Sequence, residues 1–214
     1  MSKRGLFIVF ESINGAGKTT IINKLNLANT KIFKFPNRNT TSGLIINKYL
    51  KQEIILTKEE NLQLFAQNRL ESYNEMKQLL DSGTNIICDR YLYSAIAYHT
   101  YKEYNELITN TNPLDQYNTS YSLYNLYDTI HKYDTKYIVP DIIFLINGDY
   151  LYLRDEAIEK YHTIDPKLLF NNYKSIFNIY DLDYLVVDNK YKNIDYAVNK
   201  IKSKIDDLQF NELL

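Results

Sequence analysis

A lysine that closes a glycine-bearing loop, followed at once by two threonines, is a pattern suited to holding polyphosphate. It stands near the start of the chain as Ser12-Ile13-Asn14-Gly15-Ala16-Gly17-Lys18-Thr19-Thr20. The apolar run Leu6 to Phe10 before it reads as a buried parallel strand, and Ile21 to Leu27 after it reads as a helix. Strand, loop and helix in that order make the phosphate-binding pattern GxxxxGK[ST], with Ser12 where the first glycine is usual. Serine is small and common in turns, so the departure is tolerable. Backbone N–H groups from Asn14, Gly15, Ala16 and Gly17 through Thr20 would point at a nucleoside triphosphate, whose charge the helix dipole favours. Lys18 adds a cation at the β- and γ-phosphates, and the Thr19 hydroxyl is a candidate Mg²⁺ ligand. The bland alternative, a glycine-rich turn with an incidental lysine, is disfavoured by the strand–loop–helix order.

A phosphate loop does not say what the bound triphosphate is used for. Phosphoryl transfer needs charge neutralised on the donor, the acceptor and the group between them. Arg38, Arg69, Arg90 and Arg154 each offer a planar fork that can grip phosphate bidentately. Singly, each is more often a surface charge. Arg38, Arg90 and Arg154 nevertheless follow predicted strands, where ligands gather in parallel sheets. Asp89-Arg90 is the most informative pair. A carboxylate ending an apolar strand can hold Mg²⁺ directly or through water, and the adjacent arginine can face a second phosphate. An ion pair capping the strand is the alternative.

The elements that must position these residues follow from periodicity and punctuation. Lys31 to Phe35 alternates as a second strand ended by Pro36, and a loop from Asn37 to Gly43 leads into a helix, Leu44 to Leu50. Thr57 and Glu60 form a capping box for a long helix to Ser82, along which Leu62, Phe65, Arg69, Tyr73, Met76 and Leu80 recur near helical spacing. Asn85 to Asp89 and Pro140 to Ile146 read as the third and fourth strands, and Tyr184 to Asp188 as the fifth. Tyr93 to Tyr104, the charged stretch Tyr150 to Tyr161, Asp165 to Tyr180 and Asn193 to Leu208 read as helical. Residues 105–137 are less readable: Pro113 breaks them, and Tyr117, Tyr121, Tyr124 and Asp128 share one face of a short helix. That face suits packing or dimerisation better than base stacking, for which basic residues are too few. Alternating strands and helices predict one α/β domain over residues 1–214, with a parallel five-stranded sheet covered on both faces. A lid is expected near 148–163 and an insertion near 105–137.

The 214-residue chain carries a net charge of −1 and one cysteine, Cys88. Composition therefore excludes a disulfide framework, a CxxC metal site and a strongly basic nucleic-acid surface. Glu11 stops the first apolar run too early for a signal peptide, and no window approaches a membrane span. A soluble, intracellular, cytoplasmic protein is expected. The 21 tyrosines, with no tryptophan, accompany abundant Asn, Ile and Lys, a bias of A/T-rich codons more than of function.

FESINGAGKTT, FPNR, LFAQNR, DRYLYSAIAY, a Pro-Asp strand and a terminal Val-Val-Asp strand follow one another over most of the chain. In these motifs it resembles the thymidylate kinases of the nucleoside monophosphate kinase group, and FPxR with DRY is more specific to them than the phosphate loop. The resemblance implies phosphorylation of dTMP to dTDP by ATP and Mg²⁺ on a P-loop nucleoside monophosphate kinase fold. It also implies a homodimer; no nucleic acid and no membrane is expected as a partner, on the composition and hydropathy above. Arg38 and Arg90 would hold the acceptor phosphate, Phe65 would stack on thymine, and Arg69 would donate to a thymine carbonyl. Phe65 and Arg69 lie on one helical face, which agrees. Asp89 would organise Mg²⁺, Ser94 and Ala95 would lie by the base, and Tyr98 would crowd the sugar 2′ position. Tyr161 would cover the nucleotide, and Asp188 with Asn189 would lie near the donor adenine. Lys18, Asp89, Arg90 and Arg154 make the expected catalytic set.

Three features depart from the family pattern. Asn14 stands where an acidic residue commonly meets the sugar 3′ hydroxyl. Gly15 stands where some members carry a catalytic arginine, which shifts that role to the lid, to Arg154 or more weakly Lys160. The segment between DRY and the Pro-Asp strand is roughly twenty residues longer than usual. Asn14 and Ala95 keep open a broader deoxynucleoside monophosphate kinase that also takes dUMP or other dNMPs. A catalytically decayed nucleotide-binding protein is a further alternative, against which the intact Lys18, Thr19, Asp89 and Arg90 argue.

Overall fold

The computed structural model describes residues 4–110, 116–148, 164–189 and 193–211. Strand β1 (Phe7–Ser12) is buried along its whole length, as a continuous apolar run in a parallel sheet must be. It is flanked by β3 (Asn85–Asp89) and β4 (Ile142–Gly148), with β2 (Thr30–Lys34) and β5 (Tyr184–Asn189) at the edges. The order is β2-β3-β1-β4-β5, and every pairing is parallel, with Val9 opposite both Cys88 and Ile143. The sheet therefore changes direction of winding at β1, and a crevice opens there at the carboxyl ends of the strands.

Helices cover both faces. The connections are α1 (Lys18–Leu25), α2 (Thr41–Leu50), α3 (Lys58–Asp81), α4 (Leu92–His99), α5 (Tyr101–Asn110), α6 (Gln116–His131), α7 (Pro166–Ile179) and α8 (Ile194–Asn211). Helix α1 packs with α8, while α4 packs with α3, α6 and α7. The capping box of α3 forms as expected: Glu60 N donates to Thr57 Oγ1 at 3.2 Å and Thr57 N to Glu60 Oε2 at 2.8 Å. Asp165 caps α7, with Pro166 in its first turn. Among the described residues, no helix is long and apolar enough to cross a membrane.

Two local expectations are corrected. The helix expected from Tyr93 to Tyr104 is broken at Thr100, whose hydroxyl donates to the Ile96 carbonyl at 2.8 Å; side-chain bonding of this kind competes with helix continuation. Helix α6 is longer than the short helix expected, and the side it turns to the core is a different one from the face that carries Tyr121 and Tyr124. Tyr121 and Tyr124 are 63% and 47% exposed, whereas Leu123, Tyr127 and Ile130 enter the core. So many tyrosines obscure the period in the sequence. Tyr127 satisfies its hydroxyl internally, donating to Asn172 Oδ1 at 2.8 Å. The charged stretch Tyr150 to Tyr161 lies outside the described residues.

Candidate active site

The loop after β1 turns twice through the left-handed region, at Gly15 (φ 80°) and Gly17 (φ 85°). Glycine is required at the second turn for space as well, since a Cβ there would lie 2.4 Å from Asn189 Nδ2. That same amide donates to the Ala16 carbonyl at 2.8 Å, so the end of β5 braces the loop. Gly17 caps α1 without any side-chain acceptor for its first N–H groups, which leaves them available to an anion.

Lys18 is buried and ion-paired with Asp89 at the end of β3, itself 4% exposed. Thr19 Oγ1 donates to Asp89 Oδ2 at 3.4 Å. Burial, reinforced by the Arg90 charge, pulls the Lys18 ammonium well below its ordinary range. A polyphosphate would relieve that cost.

Arg90 leaves β3 with φ 70°, a strained conformation for a bulky residue of the kind held at functional sites. Its guanidinium joins two parts of the molecule. Nη1 donates to Ser12 O at 2.8 Å and Nη2 to Asn14 Oδ1 at 2.7 Å, both on the phosphate loop. Nη1 also lies 3.3 Å from Ser94 Oγ and 3.4 Å from Tyr173 OH, and the group sits 5.6 Å from the Tyr98 ring centroid. Burial disfavours its charge, but Tyr98, Tyr173 and Glu11 outweigh that and raise its pKa. Beneath it, Glu11 is fully buried and accepts from Tyr91 N (2.9 Å), Ser94 N (3.2 Å) and Ser94 Oγ (2.5 Å). Desolvation raises the Glu11 pKa, against the pull of Arg90 and these bonds. One carboxylate thus fixes the first turn of α4 beside the arginine.

The FPNR loop is latched from α3. Asn68 Oδ1 accepts from Asn37 N at 2.7 Å, and its Nδ2 lies within 3.1 Å of Asn37 O, Thr40 Oγ1 and Ser42 Oγ. Arg38, in the same loop, donates through Nη1 to Asn47 Oδ1 at 2.8 Å. One turn before Asn68, Phe65 packs on the small cluster of Ile46, Tyr49 and Leu50 and stands edge-on to His99 at 6.1 Å. Arg69 makes a buried two-toothed pair with Asp134, Nε to Oδ1 at 2.6 Å and Nη2 to Oδ2 at 2.7 Å. His99 Nδ1 donates to Ala95 O at 2.8 Å, and Nε2 lies 2.7 Å from Asn61 Oδ1. Among the described residues the buried Asn61 Nδ2 has no hydrogen-bond partner, so an amide turned to present Nδ2 to the ring would satisfy both groups.

Of the residues expected from sequence, Asn14, Lys18, Thr19, Asp89, Arg90, Ser94 and Tyr98 therefore converge at the ends of β1 and β3. Phe65 and Arg69 lie along α3, as their spacing requires, and Ala95 is buried on α4. Ser94 is engaged by Glu11 and Tyr173, an arrangement the sequence did not suggest. Asp188 accepts from Asn147 Nδ2 at 2.6 Å, and it is Asn189 that touches the phosphate loop. Arg154, Lys160 and Tyr161 lie outside the described residues. Sequence reasoning missed Glu11, Asn68, Asp134 and Tyr173. A charge inside a buried strand marks Glu11 and a place inside LFAQNR marks Asn68, but no local signal marks the other two.

The chain has relatives of known family. A family model described as thymidylate kinase matches residues 10–116. A thymidylate kinase of Plasmodium falciparum (isolate 3D7) is 32% identical over 228 residues, spanning 97% of this chain and 96% of that protein. One from Dictyostelium discoideum is 41% identical over 109 residues, covering 48% of this chain and 49% of its own. Among solved structures, a Candida albicans thymidylate kinase described as broad in substrate specificity matches with a TM-score of 0.69 at 27% identity, covering 98% of this chain and 94% of that one. The chain belongs to the thymidylate kinase family, the phosphotransferases that carry a phosphoryl group from ATP to dTMP.

Proposed function

We propose that Lys18, Thr19, Asp89 and Arg90 carry out this transfer and that Phe65, Arg69 and Tyr98 select the acceptor. The observation behind this is Arg90, whose guanidinium touches the phosphate loop through Ser12 and Asn14 and the acceptor side through Ser94 and Tyr98. A single cation so placed can face both the phosphate being transferred and the phosphate receiving it. Arg38, held by the Asn68 latch, would grip the acceptor phosphate from the other side.

Loop amides and Lys18 hold the β- and γ-phosphates of ATP, and Arg38 with Arg90 aligns the dTMP phosphate. An acceptor oxygen then attacks the γ-phosphorus in line as the bond to the β-phosphate oxygen breaks, giving dTDP and ADP with no covalent enzyme intermediate. Thr19 and Asp89 present hard oxygens 3.4 Å apart, a donor set that fits a hard divalent cation. They would hold Mg²⁺, which when bound neutralises phosphate charge. Arg154 is assigned to the lid as a further cation, and lid closure would exclude water and suppress ATP hydrolysis. A homodimer is part of the same proposal, supported by exposed Leu44 and Ile45 on α2 and Ile55 beyond it.

The decisive assay is ADP release with Mg²⁺-ATP against dTMP, dUMP, dCMP, dAMP, dGMP and UMP in parallel. Strong turnover with dTMP, weaker with dUMP and little with UMP is expected. Comparable turnover across the deoxynucleotides would establish the broader kinase instead, in line with the breadth described for the Candida albicans relative. If Arg90→Ala stays within about twofold of the parent, the role given to Arg90 is wrong, since removing such a donor costs roughly 10²–10³ in kcat.

A further inference from the structure

Asp134 lies near the end of the tyrosine-rich segment whose purpose the sequence left open. It sits in the turn that closes α6, its N–H donating to His131 O at 2.9 Å. A carboxylate at a helix C-terminus opposes the helix dipole, where a cation would be favoured, so generic capping does not account for it. What it meets is Arg69. Both side chains are buried, at 6% and 3% exposure, and both carboxylate oxygens are engaged. The turn is fixed from behind by Leu123, Tyr127 and Ile130 in the core, by Tyr127 on Asn172 of α7, and by the Ile138 N–H on Tyr91 OH at 3.0 Å.

We infer that Asp134 is a positioning residue that makes Arg69 a reader of a base carbonyl and keeps it from acting as a phosphate-binding cation, resting on the assignment of Arg69 to the acceptor base. Two consequences of the pairing support this. First, Nε and Nη2 are spent on Asp134, and Nη1 makes no hydrogen bond among the described residues, so one donor edge is left at a fixed angle. Second, the pair is neutral. A guanidinium whose charge is already balanced suits an uncharged keto oxygen, whereas Arg90 has no carboxylate among its described hydrogen-bond partners, the nearby Glu11 being bonded to Tyr91 and Ser94 instead. A fixed donor edge accepts thymine or uracil, whose O4 is an acceptor, and meets the amino group of cytosine donor to donor. The segment ending in Asp134 thus contributes directly to choice of base.

The test measures kcat and KM for dTMP and dCMP with Mg²⁺-ATP in the full chain and in Asp134→Asn, Asp134→Glu and Arg69→Met. Asp134→Asn is expected to raise KM for dTMP about tenfold, to hold kcat within about threefold, and to shrink the preference for dTMP over dCMP about tenfold. Asp134→Glu keeps the charge and so the fold, but displaces the fork; a smaller loss of preference, about threefold, is expected. An unchanged dTMP/dCMP preference in Asp134→Glu, together with either an unchanged preference or failure to fold in Asp134→Asn, overturns the inference and leaves the pair structural. If Arg69→Met itself leaves the preference unchanged, it is the assignment of Arg69 to the base that falls.

Discussion

The two ends of the proposed active site are built differently. The phosphate end is contiguous with strand ends: the loop from Ser12 to Thr20 and the pair Asp89-Arg90 lie on neighbouring strands, with Phe10 opposite Asp89 in register. Its geometry is backbone geometry, with positive φ at Gly15, Gly17 and Arg90. The base end is assembled from side chains on α3, α4 and the turn after α6, joined by the pairs Arg69–Asp134 and His99–Asn61. The difference is also one of charge. At the base end Arg69 has both carboxylate oxygens of Asp134 on it before any ligand arrives; at the phosphate end Lys18 is paired with Asp89, yet burial and the Arg90 charge still disfavour its ammonium, a cost an anion would relieve. A site can thus hold a dianion and a neutral base side by side without one arginine capturing the other's ligand.

If this division is real, variants at the two ends should fail in different ways. Lys18→Met should have the largest effect, lowering kcat about 10³-fold for every acceptor alike; a loss confined to one acceptor in the ADP-release assay would break the comparison. Arg90→Ala should follow at about 10²–10³-fold, again without changing the order of acceptors. Tyr98→Leu should lower the preference for dTMP over UMP about tenfold while kcat with dTMP stays close to the parent, and an unchanged ratio would remove Tyr98 from sugar selection. The smallest effect is on stability. Burial pushes His99 down to about 4, against the pull of its bond to Ala95. A histidine depressed in the folded state contributes stability that is present above its unfolded pKa, near 6.5, and is lost as pH falls towards 4. The melting temperature should therefore drop by a few degrees between pH 7 and pH 5, and His99→Asn should flatten that dependence. Equal slopes in the two proteins would show that His99 does not hold the base end together.

The same division explains what the sequence makes legible. The parallel sheet, the capping box at Thr57 and the strand-end placement of Lys18, Thr19, Asp89 and Arg90 were legible because each depends on residues a few positions apart, where periodicity, turn preference and motif spacing act directly. Phe65 and Arg69 were legible for the same reason, as neighbours on one helical turn. The spacing of Tyr121 and Tyr124 left packing and dimerisation both open, because tyrosine tolerates burial and exposure alike and so says little about which side faces the core.

By itself, the sequence determined the fold class and the loop from Ser12 to Thr20 with Asp89-Arg90 at the neighbouring strand end. Only tertiary structure decided what each arginine touches. Asp134 lies 65 positions from Arg69, and Asn14 lies 76 from Arg90. Those partnerships exist because packing brings separate elements within hydrogen-bond distance, and at such separations residue type alone cannot say which charge a buried guanidinium will meet.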